Sequence, residues 1–176
     1  MALVTEDGSI VVGAEAYIDV SYADTYHANM GNTAWSALTL VQKEVAIRRA
    51  TMYLTQAYRL QWAGRRYSPN QVLDWPRTLV PKKDTAGFYV SGQVYYDYRS
   101  IPDEVKKASA EMALRSLAGE LMPDLKQAVR SKKVGPIETV YDPYSPQQKR
   151  YKAVTALLAP LLKSGGSGVM VGVSRS

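Results

Sequence analysis

The chain has no cysteine, one histidine (His27) and one phenylalanine (Phe88) among its 176 residues. The missing cysteines exclude disulfides, thiolate zinc sites and thiol nucleophiles, and they accord with a reducing compartment. A Ser–His–acid set would have to use His27. That residue falls on a tyrosine-rich helix face, where a histidine is more often structural than catalytic. A metal site would need carboxylates alone, and no Asp-x-Asp or Glu-x-x-Glu loop of suitable spacing occurs. No glycine-rich phosphate loop follows a strand, because Gly165–Gly168 comes after a helix end. These absences predict a protein that is not an enzyme and needs no metal or cofactor. No apolar run reaches 18 residues, so no membrane span is expected. The opening MALVTEDGSIVV has neither a basic region nor a long apolar core, so no signal peptide is expected either.

Positive charge is absent from the first 38 residues, which carry five acids. Residues 39–90 hold nine basic and three acidic side chains, and the net charge of the whole chain is +6. The last block, 125–176, is again basic. Such a distribution fits attraction to nucleic acid. It equally fits an acidic end of one copy meeting the basic body of the next, or an unevenly charged solvated surface. Apolar residues make up 46% and charged residues 22% of the chain, which is the composition of a globular domain.

Periodicity predicts a mainly α fold: a bundle of about four helices with small β-hairpin and strand elements. Leu3–Glu6 and Ser9–Val12 flank Asp7-Gly8 and read as an N-terminal β-hairpin. A helix is expected from a Ser21 cap to Gly31, with Tyr22, Ala23, Tyr26 and Met30 on one side. Thr39 and Gln42 form a capping box that opens the clearest helix, reaching about Leu60. Its main stripe is Ala46, Ile47, Ala50, Tyr53, Leu54, Ala57 and Tyr58. Val41, Val45 and Met52 form a second stripe with Arg48 among them. Two apolar faces on one helix require cover on both sides, from the domain itself or from another subunit.

GFYVSGQVYYDY reads as a hairpin turning at Ser91-Gly92. Pro102 opens a helix to about Leu121 with two nearly opposite stripes, so this helix is expected to be central. DLKQAVRSKKVG reads as a possible helix, and Ile137–Tyr141 alternates like a strand. Ser145, Pro146 and Gln148 give a last capped start, and Pro160 bends or ends that helix. The domain organisation is therefore 1–163 as a helical domain and 164–176 as a flexible Gly/Ser arm. The apolar tip of the arm, Val169, Met170 and Val171, suits a groove or sheet in this subunit or a partner.

Thirteen tyrosines and three tryptophans dominate the aromatic content. Tyrosine suits wet protein interfaces, and tyrosine beside lysine or arginine also suits stacking on single-stranded bases. The segment from Pro81 to Arg99 has both features. Tyr95, Tyr96 and Tyr98, with Arg65, Arg66, Trp75 and Arg77, are candidate partner contacts. Lys82, Lys83 and Arg99 are candidate contacts to DNA. Trp75-Pro76-Arg77 also reads as a corner, in which Trp75 and Leu73 plug the bundle and Arg77 pairs or caps nearby.

The order AYIDVSYADTYHA, NTAW, RATMYL, WAGRR, QVLDWPRT, IPDEVKKASAEMAL, KVGPIETVY and ALLAPLL resembles a family of tailed-bacteriophage proteins. They look like head–tail connector (adaptor, or head-completion) proteins, and some members carry the name DnaT-like single-stranded-DNA-binding protein. The resemblance runs from about Glu6 to Leu162. Two departures stand out: Leu79 lies where a glycine is usual, and Phe88–Arg99 is an enlarged tyrosine-rich loop. The resemblance implies a small helical virion protein without catalysis, located in the neck and passing through the host cytoplasm during assembly. It implies a homo-oligomeric ring of twelve beneath the portal protein. Such a ring prolongs the DNA channel, touches packaged double-stranded DNA transiently and docks the next neck or tail-completion protein. The name implies an alternative, single-strand binding in phage replication.

Overall fold

The long helix is set by its first turn. In the computed structural model the Thr39 hydroxyl accepts from Gln42 N (3.4 Å), and the Gln42 side chain accepts from Thr39 N (2.9 Å). The structure describes residues 2–85, 92, 94–124, 129–134, 137–141, 149 and 151–163, with the backbone alone for 129–134 and 137–141. Among the described residues five α-helices follow one another: α1 Val20–Asn29, the one-turn α2 Thr33–Ser36, α3 Leu40–Tyr58, α4 Asp103–Arg115 and α5 Lys152–Leu158. Two antiparallel pairs complete it, β1 Arg65–Arg66 with β2 Arg77–Thr78, and β3 Val129–Val134 with β4 Ile137–Tyr141. This is the mainly α bundle with small β elements that the periodicity predicts.

The main stripe of α3 faces inward, with Ala46, Ile47, Ala50, Tyr53, Leu54 and Tyr58 buried. Its chief neighbour is α4, which also touches α1 and α5 and is thus the central helix. Buried Ala108, Ser109, Ala110 and Ala113 on α4 are small enough to let helices approach closely. Pro102 caps α4 rather than occupying its first turn, and Asp103 and Glu104 stand where the helix dipole favours acids. The helix is shorter than expected. It tightens into a 3-10 turn, Ser116–Ala118, and stops at Gly119 with φ 131°. Leu117 on the second predicted stripe is consequently left exposed, whereas Leu121 returns to the core.

The N-terminal hairpin does not form. Residues 4–6 instead run beside residues 15–16, through Glu15 N to Val4 O and Glu6 N to Ala16 O (both 2.8 Å). The loop between them closes on one side chain. The buried Glu6 carboxylate accepts from Gly8 N (2.8 Å), Ile10 N (3.0 Å) and Val11 N (3.0 Å), doing the work of a partner strand. Gly8 has φ 110°, and a Cβ there would lie 2.1 Å from Arg99 O, so a side chain cannot fit. Helix α1 is capped by Asp19, not Ser21: Asp19 Oδ1 accepts from Tyr22 N at 2.7 Å. It ends at Gly31 as predicted, with φ 71°. Its buried residues are Ala23 and His27, whereas Met30 is 59% exposed.

The possible helix over 124–135 is instead strand β3 where it is described. Lys132 pairs with Thr139 and Lys133 with Glu138 in the antiparallel register. A strand partner twelve residues or fewer away overrides a weak local helix signal. Val80–Lys82 also has an antiparallel partner: Lys82 N donates to Val94 O (2.8 Å) and Tyr96 N to Val80 O (2.9 Å). Ser91 of the predicted turn, and the predicted capped start at Ser145–Gln148, lie outside the described residues, as does the whole arm 164–176. On α5, Val154 and Leu158 are buried, and Pro160 sits in the closing 3-10 turn Ala159–Leu161. Lys163 N then donates to Gln61 O (2.8 Å), which ties the end of the domain to the end of α3.

Candidate interaction surfaces

The Trp75 corner is an internal plug. Trp75 is fully buried, its peptide bond to Pro76 is cis, and its ring meets Trp62 edge-on at 5.7 Å. Leu73 is buried beside it in the same core. Arg77 is buried as well, and it secures three carbonyls: Ala63 O (2.8 Å), Gly64 O (3.0 Å) and Asp74 O (3.2 Å). Burial pulls its guanidinium below the usual arginine range. In the single chain Trp75 and Arg77 are therefore core residues, offering no surface to a partner. Asp74 completes the corner: buried, it accepts from Arg59 Nε at 3.0 Å, and its N–H donates to the Tyr17 hydroxyl at 3.0 Å.

The other predicted residues lie outside this core. Arg65 is exposed on β1 opposite Thr78, and Arg66 donates to Gln71 O. Tyr98 stacks on Tyr67 at 5.2 Å, and the exposed Arg99 guanidinium lies 5.6 Å from the Tyr98 ring centre. Tyr95 is exposed, and half-buried Tyr96 donates to Glu104 Oε1 (3.0 Å) with Lys82 Nζ 5.2 Å over its ring. Burial and the Glu104 carboxylate push the Tyr96 hydroxyl up to about 12. Lys83 Nζ donates to Leu162 O (2.6 Å) beyond α5. Lys82, Lys83 and Arg99 thus rest on three different supports, whereas Tyr67, Tyr98 and Arg99 form one cluster. Val169, Met170 and Val171 lie outside the described residues.

His27 is built into the core. Its Nε2 donates to Ala110 O (3.2 Å), and its Nδ1 accepts from Asn32 Nδ2 (3.1 Å), which fixes the neutral form. Burial lowers its pKa accordingly. Among the described residues no group of three or more His, Asp and Glu side chains is arranged to hold a metal ion. No helix among them is long and apolar enough to cross a membrane.

Two further surfaces stand out among the described residues. The first is the far side of α3. Val41 is 68% and Met52 58% exposed, and Val45 and Leu40 are also open. Arg48, in the same row, is paired with Glu15 (2.9 Å) and Glu44 (3.5 Å), so its charge is matched within the chain. The spacing 41, 45, 48, 52 alternates four, three, four, the spacing of a helix-packing row. The second is a groove of about 670 Å³ between α3 and α5. Tyr53 and Tyr58 line it from α3, with Gln61 just beyond, and Lys149, Tyr151 and Lys152 line the other side. Tyr53 meets Tyr151 edge-on at 5.3 Å, Tyr58 shares a hydrogen bond with Thr155 (2.8 Å), and Lys149 Nζ lies 5.3 Å from the Tyr151 ring centre. No Asp or Glu lines this groove among the described residues. Sequence reading missed it because residues 53–61 and 149–159 meet only in the fold. The run Lys149-Arg150-Tyr151-Lys152 was the one local signal.

A family model described as "Putative DnaT-like ssDNA binding protein" matches residues 1–176, the full chain. No curated protein and no solved structure matches it.

Proposed function

This chain belongs to the DnaT-like ssDNA-binding protein family, and we propose that its role is structural: a head-to-tail adaptor of a tailed phage. In this reading, copies form a ring under the portal protein, prolong the DNA channel and dock the next neck or tail protein. The observation that carries the reading is the uncovered seam of α3. An apolar row of helix-packing spacing, with its one charge already neutralised, suits contact with another protein and is unsuited to a phosphate backbone. The family of the eight-motif resemblance, whose members look like head–tail connectors although some carry the DnaT-like name, accords with the same role. A non-catalytic role accords with a histidine whose two ring nitrogens are both engaged in the core.

The family description favours a second reading, single-stranded-DNA binding in replication, and the groove of tyrosines and lysines beside α5 gives that reading a specific feature. One comparison separates the two. An adaptor is found in purified virions or bound to portal, and binds oligonucleotides weakly at about 0.15 M salt, where exposed charge is screened within roughly 8 Å. Tight oligonucleotide binding at that salt, by a protein absent from virions, reverses the order of the two readings.

A further inference from the structure

We propose that the groove between α3 and α5 is a binding site for a short stretch of single-stranded nucleic acid. The inference deepens the second reading, on whose single-strand ligand it rests. The groove joins basic walls to an aromatic floor. Its walls carry two exposed ammonium groups, Lys149 and Lys152, and no carboxylate among the described residues. Its floor is aromatic, with Tyr53 and Tyr58 packed edge-on so that their rings are fixed before any ligand arrives. By contrast, the neighbouring groove along α3, lined by Arg49, Met52 and Leu121, also holds Glu120, whose charge would repel a phosphate.

Half-buried Tyr151 is the stacking platform. Its hydroxyl is anchored on Leu121 O (3.3 Å), so the ring is oriented, and the cation now over its face is Lys149. A nucleobase can take that face while Lys149 moves to the adjoining phosphate. One ring then serves the base and two lysines serve the backbone, which is the division of labour of sequence-tolerant single-strand sites. Gln61 at the rim offers an amide to a base edge or sugar. A duplex cannot use the site in this way, because its bases are already stacked on each other.

The test is fluorescence anisotropy of the full chain with a labelled 20-nucleotide oligo-dT and with a duplex of the same length, over a series of salt concentrations. Variants Lys149→Gln and Lys152→Gln change exposed side chains and leave the core intact. Together they should flatten the dependence of log affinity on log salt by about 1.4, at about 0.7 per lost phosphate contact on a single strand. Tyr151→Ala should weaken binding about 5- to 150-fold, the range for one lost base stack, and Tyr151→Phe should retain it. Lys106→Gln with Lys107→Gln on α4 is the control for general charge loss. Oligo-dT binding that responds equally to the control pair and to the groove variants overturns the site and leaves the single-strand reading standing. Equal affinity for the duplex overturns the stacking role. Absence of oligo-dT binding, or binding of an acidic peptide in its place, overturns both the site and the second reading, while the ring remains.

Discussion

The two faces of α3 share one helix, yet they meet opposite fates. Ile47, Ala50, Leu54 and Tyr58 are buried against α4 and the tryptophans, whereas Val41, Val45 and Met52 face outward. The first face is held by its own chain and accounts for stability. The second is open in the single chain, so it adds little to the stability of one copy. The difference teaches that hydrophobic spacing reports the demand for a neighbour, not whether the neighbour belongs to the same chain.

The largest effects should fall on the inward side. Trp75→Ala should cost about 3–5 kcal/mol and Leu54→Ala about 2–5 kcal/mol in denaturant unfolding, as buried truncations that leave cavities. A loss at Trp75 under about 1 kcal/mol, together with lost assembly, would move that residue from the core to a docking role. Next comes a gain. Leu79 holds φ 57° and is 60% exposed, so its side chain contributes little while its backbone is strained. Leu79→Gly should stabilise the chain by about 1 kcal/mol, read as a higher Tm, because the left-handed conformation costs an L-residue about 1–2 kcal/mol.

Acidification tests the His27 end of the bundle. Burial holds the folded His27 pKa below its ordinary value, despite Asp24 and Glu111 nearby. The unfolded chain therefore binds a proton first as pH falls, and stability drops below about pH 6.5. Burial opposes ionisation of Glu111, but hydrogen bonds from Arg115 and Tyr26 outweigh it and hold that carboxyl low, so its contribution is lost at still lower pH. Tm should decline from pH 7 to 5, and His27→Gln should flatten that part of the profile. The smallest effect on stability is expected outside. Val41→Gln with Val45→Gln should shift unfolding by less than about 0.5 kcal/mol per site, as exposed substitutions do, while abolishing attachment to the virion.

Much of this was legible before the fold was known. The capping box, both faces of α3, the central position of α4 and the plug at Trp75 follow from local spacing and from the chemistry of one corner. Other features were not legible. Glu6 was legible as an acid, but nothing local shows that its carboxylate gathers three N–H groups and replaces a hairpin strand. The lysines of β3 read as a possible helix because a short basic run lacks the apolar alternation that marks a strand, although its partner follows within twelve residues. The groove was hidden because Tyr53 and Tyr151 come together only through packing of α3 and α5. The unusual residue at Leu79, by contrast, was marked as a departure where glycine is usual, and its positive φ supplies the physical reason.

The central claim is that the outer face of α3 is covered in the working assembly. Methionine oxidation tests it directly, because Met52 on that face and Met30 at the end of α1 are 58% and 59% exposed in the single chain and serve as probe and reference. Free protein treated with peroxide should oxidise both at similar rates. In purified virions Met52 should be protected relative to Met30. Equal oxidation of the two in the particle, or absence of the protein from virions altogether, would contradict the account.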